Sequence, residues 1–256
     1  MKGQISMRKK MNSIIVITIL VLNGFTLITL ADKNNQEHPN INIEVNQFQE
    51  DITISYKINS FTEKTITINN QSYKQILLDD ESPILKRGYP DLPNIRRSIV
   101  IPDNQVMAVS VLSSTFQEYE NIAVAPSKGS FTRNIDPSSV PYTFAEIYQQ
   151  NDWFPQNIAT LNDPYILRDF RGQIVEFNPF QYNPSTNTLR FYTEVTIQIS
   201  PNGVGGENMY VRDNPPQILD PTFKNIYERH FLNFDSFTQQ TKYTTIEEDG
   251  ELLVIS

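Results

Sequence analysis

The sequence predicts an all-β protein, an antiparallel sandwich or jelly roll with one or two short helices behind a signal peptide. Three observations carry this. Short segments alternate strictly between apolar and polar residues, as in Ile41-Asn42-Ile43-Glu44-Val45 and Ile52–Ile58; that period lays one face of a strand on a core and the other in water. Turn-forming residues separate these segments about every ten positions, a rhythm of sandwiches and not of βαβ units. The 12 Tyr and 15 Phe in 256 residues suit a packed interior better than a disordered chain.

Each element can be read in turn. Met1–Ser13 is basic, Ile14–Leu30 is apolar, and Thr29 and Ala31 place small residues before a cut at Ala31–Asp32. Residues 1–31 therefore read as a secretory signal peptide. The apolar run also approaches a membrane span in length, so a retained anchor is the alternative. Either way the rest is exported, secreted or held at the cell surface, and its one membrane contact is through the leader. After polar residues 32–39 come strands at Ile41–Val45, Ile52–Ile58, Thr65–Ile68, Tyr73–Leu78, Arg97–Ile101, Val106–Leu112, Gln173–Phe177 and Leu189–Ile199. The last is the longest and most regular, and residues 183–187 before it read as a hairpin turn after Phe180–Tyr182. Residues 140–151 predict one short helix or turn, with Phe144, Ile147 and Tyr148 at helical spacing. Residues 223–231 predict a second, with Phe223, Ile226, Tyr227 and Phe231 on one face. Residues 200–216, rich in Gly and Pro, read as a loop.

Composition excludes several functions. The net charge is −8, and four of the cations lie in residues 1–31, which hold no acid. The remainder carries 17 cations against 29 acids, a net −12, which opposes binding to nucleic acid or anionic lipid. There is no Cys, so disulfides, thiolate metal sites and a cysteine nucleophile are excluded within this chain. Two histidines cannot build a His-rich metal site. No metal and no cofactor are expected. His230 reads as a structural side chain, and the acidic runs 79–81 and 247–249 as solvated loops. Asn70-Gln71-Ser72 matches a glycosylation sequon that means nothing without a glycosylating host. Arg168, Asp169 and Arg171 read as a charge-paired turn, and Trp153-Phe154 as core or interface. Gly88-Tyr-Pro-Asp-Leu-Pro93 reads as a rigid turn at an edge.

The strings Ala125-Pro-Ser-Lys-Gly129, Asp163–Gln173 (DPYILRDFRGQ), Pro179–Pro184 (PFQYNP) and Thr188–Glu194 (TLRFYTE) are long and specific. Over roughly Gly88 to Ser256 the chain resembles the N-terminal propeptide of gingipain-type cysteine proteases. The resemblance implies an all-β sandwich of jelly-roll type that assists folding of a caspase-like catalytic domain in cis and keeps it latent during export. It implies inhibition by a loop that places a basic side chain in the S1 pocket. That residue falls on Arg133, with Lys128 as the rival and Gly129 and Pro137 bracketing the loop. A guanidinium fits the part, since its planar fork binds a carboxylate through two parallel hydrogen bonds. The resemblance further places maturation at Lys242–Tyr243. The expected division is a signal peptide over 1–31, a propeptide over 32–242 and the start of a peptidase domain over 243–256. A secreted β-sandwich module binding carbohydrate or a surface partner is the other reading, favoured by many aromatics. In both, this chain has no peptidase chemistry of its own, because the nucleophile needs a thiolate.

Overall fold

The computed structural model describes residues 40–211 and 219–240. The leader, its cut at Ala31–Asp32, the processing pair Lys242 and Tyr243, and residues 243–256 lie outside them.

Strict alternation becomes strands here because each has a partner. β1 (Ile41–Phe48) and β2 (Asp51–Ile58) form a hairpin. β2 pairs antiparallel with β11 (Thr188–Val204), as does β10 (Phe180–Asn183), and β6 (Gln105–Tyr119) lies along the other edge of β11. Opposite this five-stranded sheet lies a second one, built on β9 (Phe170–Phe177) with β5 (Ile95–Val100), β7 (Ala159–Leu161) and β8 (Tyr165–Leu167). The inward residues of both sheets make one core: Ile52, Ile54 and Tyr56 from β2 meet Ile95 and Ile99 from β5 and Phe177 from β9. Tyr56 stacks on Phe177 with centroids 4.3 Å apart, which joins the two layers directly. A separate hairpin, β3 (Thr62–Ile68) and β4 (Gln71–Leu77), turns through Asn69 and Asn70, both at positive φ as a tight two-residue hairpin requires.

The C-terminal helices close a sheet edge. α1 (Pro221–His230) is capped by Asp220, whose carboxylate accepts from the Thr222 amide. α2 spans Phe234–Gln240. Between them Asn233, buried to 1% exposure, accepts from the Val100 amide at 2.7 Å and donates to the Val100 carbonyl at 2.9 Å. Its side chain thus occupies the place of a neighbouring strand beside β5, and the Leu232 amide continues the pattern onto Ser98. Tyr227, Phe231 and Phe234 pack with Phe170 in a second apolar cluster. Gly172 permits that approach: a Cβ there would stand 2.7 Å from rings of both Phe231 and Tyr165.

The all-β expectation holds, with differences that tertiary pairing explains. β6 runs seven residues past Leu112 because β11 supplies a ladder as far as Tyr119, although residues 113–118 lack an apolar alternation. β11 extends to Val204, into the predicted loop. The helical signal at 140–151 is one 3-10 turn, Glu146–Gln149, and α2 had no sequence signal strong enough to be predicted. Glu81 is no solvated loop acid: Arg97 holds its carboxylate through both terminal nitrogens. The charged turn is only half as expected. Arg168 lies 3.7 Å from Asp169 and over the Phe223 ring. Arg171, wholly buried, instead donates to the backbone carbonyls of Pro102, Gln105 and Glu207.

Candidate functional site

Residues 123–127 run as an extended ribbon between two partners. On one side Lys74 of β4 exchanges hydrogen bonds with Ala123 and Ala125. On the other, the Ser127 amide donates to Tyr89 at 2.7 Å, Gly88 donates to Ser127 at 2.8 Å, and Asp91 donates to Ala125 at 2.8 Å. Pro90 and Pro126 face one another, where neither has an N–H to lose. The Gly88–Pro93 turn predicted from sequence is therefore the floor beneath the 125–137 loop, a placement that sequence spacing could not reveal.

From this floor the loop projects. Gly129 has φ +89°, and a Cβ on it would meet the Cβ of Arg87 at 2.9 Å and its Cγ at 3.6 Å. The Gly129 amide donates to Ser127 Oγ, and Ser127 in turn bonds the Asp91 carboxylate. Burial pushes the Asp91 carboxyl up, partly offset by the Ser127 hydrogen bond. Lys128 ties the neck: its Nζ donates to the Pro137 carbonyl at 2.8 Å and lies 4.4 Å from the Tyr142 ring centroid. Asp136 caps the short turn Pro137–Ser139, accepting from the Ser138 amide and hydroxyl, and these bonds hold its carboxyl below the usual range. At the tip, Thr132 bonds Asn134, and Arg133 is exposed with no side-chain hydrogen bond or ion pair among the described residues.

The three loop residues singled out by sequence thus occupy different positions. Lys128 is engaged as a brace, Gly129 is the point of close approach to Arg87, and Arg133 alone of the three projects. Sequence reading missed Arg87, Asp91, Ser127 and Tyr142; their common signal, proximity to residues 125–129, is tertiary. Elsewhere, a shallow cleft is lined by Asp152, Trp153, Gln156, Ile158, Gln181 and Arg190. Several of its polar side chains already have protein partners: Asp152 accepts from Gln156, Gln181 donates to the carbonyls of Pro155 and Gln156, and Arg190 bonds Glu118 over the Trp153 ring. No group of His, Cys, Asp and Glu among the described residues is arranged to hold a metal ion.

The family model Propeptide_C25 matches residues 32–239. The chain belongs to the Propeptide_C25 family. Gingipain R1 of Porphyromonas gingivalis is 43% identical over 172 residues, covering 66% of this chain and 16% of that protein. The chain therefore spans about a sixth of the length of that curated relative. Among solved structures, the complex of Porphyromonas gingivalis RgpB pro- and mature domains aligns with TM-score 0.70 and 32% identity, over 77% of this chain and 98% of that one. A structure bearing on zymogenic latency of gingipain K from the same organism shares the fold, with TM-score 0.56, 21% identity, and coverage of 65% and 96%. As a member of this propeptide family, the chain is not itself the catalytic part.

Proposed function

We propose that this propeptide holds a secreted gingipain-like cysteine endopeptidase latent, and assists its folding, by setting the 125–137 loop across the active-site cleft with Arg133 in the S1 pocket. The observation that carries the reading is an exposed, unpaired guanidinium on a neck braced by Lys128, Asp136 and Ser127. Bracing lowers the ordering entropy lost on binding. The RgpB relative supports a mature domain as the partner. The leader carries the precursor out of the cytoplasm, and cleavage after Lys242 releases the mature enzyme, beginning at Tyr243. The binding-module reading draws less from the structure, because Asp152, Gln181 and Arg190 of the shallow cleft around Trp153 already bond protein groups.

The test is inhibition of the separately produced mature domain by the full chain and its variants. Removing one partner of a desolvated charge pair costs roughly 2–5 kcal/mol, so Arg133→Ala should weaken inhibition by about 30-fold to several thousand-fold. Arg133→Lys should fall between, since an ammonium cannot reproduce the fork. Full potency of Arg133→Ala alongside loss in Lys128→Ala would name the wrong anchor. Unchanged inhibition by both would place latency on the broad sandwich surface.

A further inference from the structure

We infer that Arg87 is a second point of attachment, binding an acidic surface of the mature domain beside the pocket that takes Arg133. The inference rests on the latency reading above and adds to it a contact outside the inhibitory loop.

Arg87 lies on the 79–94 segment, yet the fold places it at the neck of the 125–137 loop. Its Cβ would lie only 2.9 Å from a Cβ at Gly129, and Gly129 has none. Arg133 follows Gly129 by four residues, so its α-carbon lies within about 14 Å even with the chain extended. The backbone around Arg87 is held on both sides: Gly88 donates to Ser127 and accepts from Ala145, at 2.8 and 2.9 Å. Gly88 itself has φ +81°, with Ala145 so close that a Cβ would meet its amide at 3.1 Å. Lys86, the preceding residue, is drawn onto the Tyr89 ring at 3.5 Å. Arg87 is exposed, and its guanidinium has no hydrogen bond or ion pair among the described residues.

Among the described residues, exposed Lys64 and Arg229 also lack a carboxylate partner, but several other cations of this acidic chain have one. Arg96 pairs with Glu176, Arg97 with Glu81, Arg190 with Glu118 and Lys74 with Glu63. What sets Arg87 apart is its place: it and Arg133 put two unpaired, exposed guanidinium groups around one loop. Two acids at the neck are already committed, Asp136 to Ser138 and Asp91 to Ser127. One unpaired cation at the braced neck and another at the loop tip fit a partner surface with a carboxylate in its pocket and further carboxylates on its rim. A rim charge acts chiefly on the rate of encounter and on its salt dependence.

The experiment measures association and inhibition constants for the full chain against the mature domain of its precursor, at low and high ionic strength. Variants are Arg87→Gln, Arg87→Glu, Arg133→Ala and, as a charge control, Lys64→Glu on the exposed β3 edge of the separate hairpin. Gln and Glu keep the Cβ and Cγ that pack on Gly129, and circular dichroism melts should match wild type. Arg87→Gln should slow association about 3- to 10-fold and Arg87→Glu about 10- to 50-fold at low salt, with the gap shrinking at high salt. Lys64→Glu should stay within about twofold. If Arg87→Glu and Lys64→Glu behave alike, only net charge matters and the inference is overturned. If Arg133→Ala loses inhibition while Arg87→Glu does not, the inference falls and the latency reading stands. If Arg87→Glu loses and Arg133→Ala does not, the basic neck stands and the S1 plug falls. If neither changes, both are wrong.

Discussion

Gly129→Ala isolates the geometry of the loop neck. The residue sits at φ +89°, where an L side chain is strained by about 1–2 kcal/mol. The added methyl would also lie 2.9 Å from Arg87 Cβ and 3.4 Å from its Cα, against a comfortable carbon contact of about 3.5–4.0 Å. Neither atom is the free end of a side chain, so backbone must move by about half an ångström or more, an overpacking cost of roughly 1–3 kcal/mol. The combined cost is about 2–5 kcal/mol, but the global stability loss is capped by the cost of letting the neck rearrange locally. Inhibition has no such cap, because it needs the neck as it stands: potency should fall about 30-fold or more. Gly203→Ala is the paired control. Gly203 has φ +117° with no atom within 4 Å of a new Cβ, so it carries strain without a clash and lies far from the loop in sequence. It should lower stability in urea unfolding and leave inhibition intact. The reasoning is refuted if Gly129→Ala inhibits like wild type, or if Gly203→Ala impairs inhibition as much.

Three further outcomes are expected. Asn233→Ala leaves the Val100 amide and carbonyl unpaired in a buried site, at about 1–3 kcal/mol each, so urea denaturation should show a loss of roughly 2–6 kcal/mol; a change under about 0.5 kcal/mol would mean that water replaces the side chain. Asp91→Asn should stabilise the protein increasingly as pH rises. The native carboxyl is raised, so the folded chain binds its proton more tightly than the unfolded one, and wild-type stability falls from the ordinary carboxylate range up to the raised native value, then levels. A variant-minus-wild-type difference that shrinks with rising pH, measured by unfolding at several pH values, contradicts this. Lys128→Met keeps the stem but drops the bond to Pro137, and should weaken inhibition by up to about 10-fold with an unchanged melt; inhibition lost as completely as in Arg133→Ala would make Lys128 the anchor.

Alternating residues at 41–45, 52–58 and 189–199 determined strands by themselves, because period two allows one buried face only in an extended chain. The turn at 183–187, a helix over 223–231, the absence of a cysteine nucleophile and the family resemblance were equally local, written in strings that need no partner to be read. What the tertiary structure decided was whatever depends on a distant neighbour. Residues 113–118 have no apolar pattern and are a strand only because β11 offers its edge. Asn233 looks like a loop residue until Val100 is beside it. Arg171 reads as part of a charge-paired turn and Glu81 as a solvated acid, yet both side chains are buried, one among carbonyls and one against Arg97, since burial of a charge depends on what surrounds it and not on its neighbours in sequence. Lys128 and Arg133 are indistinguishable as exposed cations in the chain; Pro137 and Tyr142 bind the first and no described residue pairs with the second. Arg87, 42 residues from Gly129, reaches the same neck because backbone pairing between 88–91 and 125–127 brings two loops together.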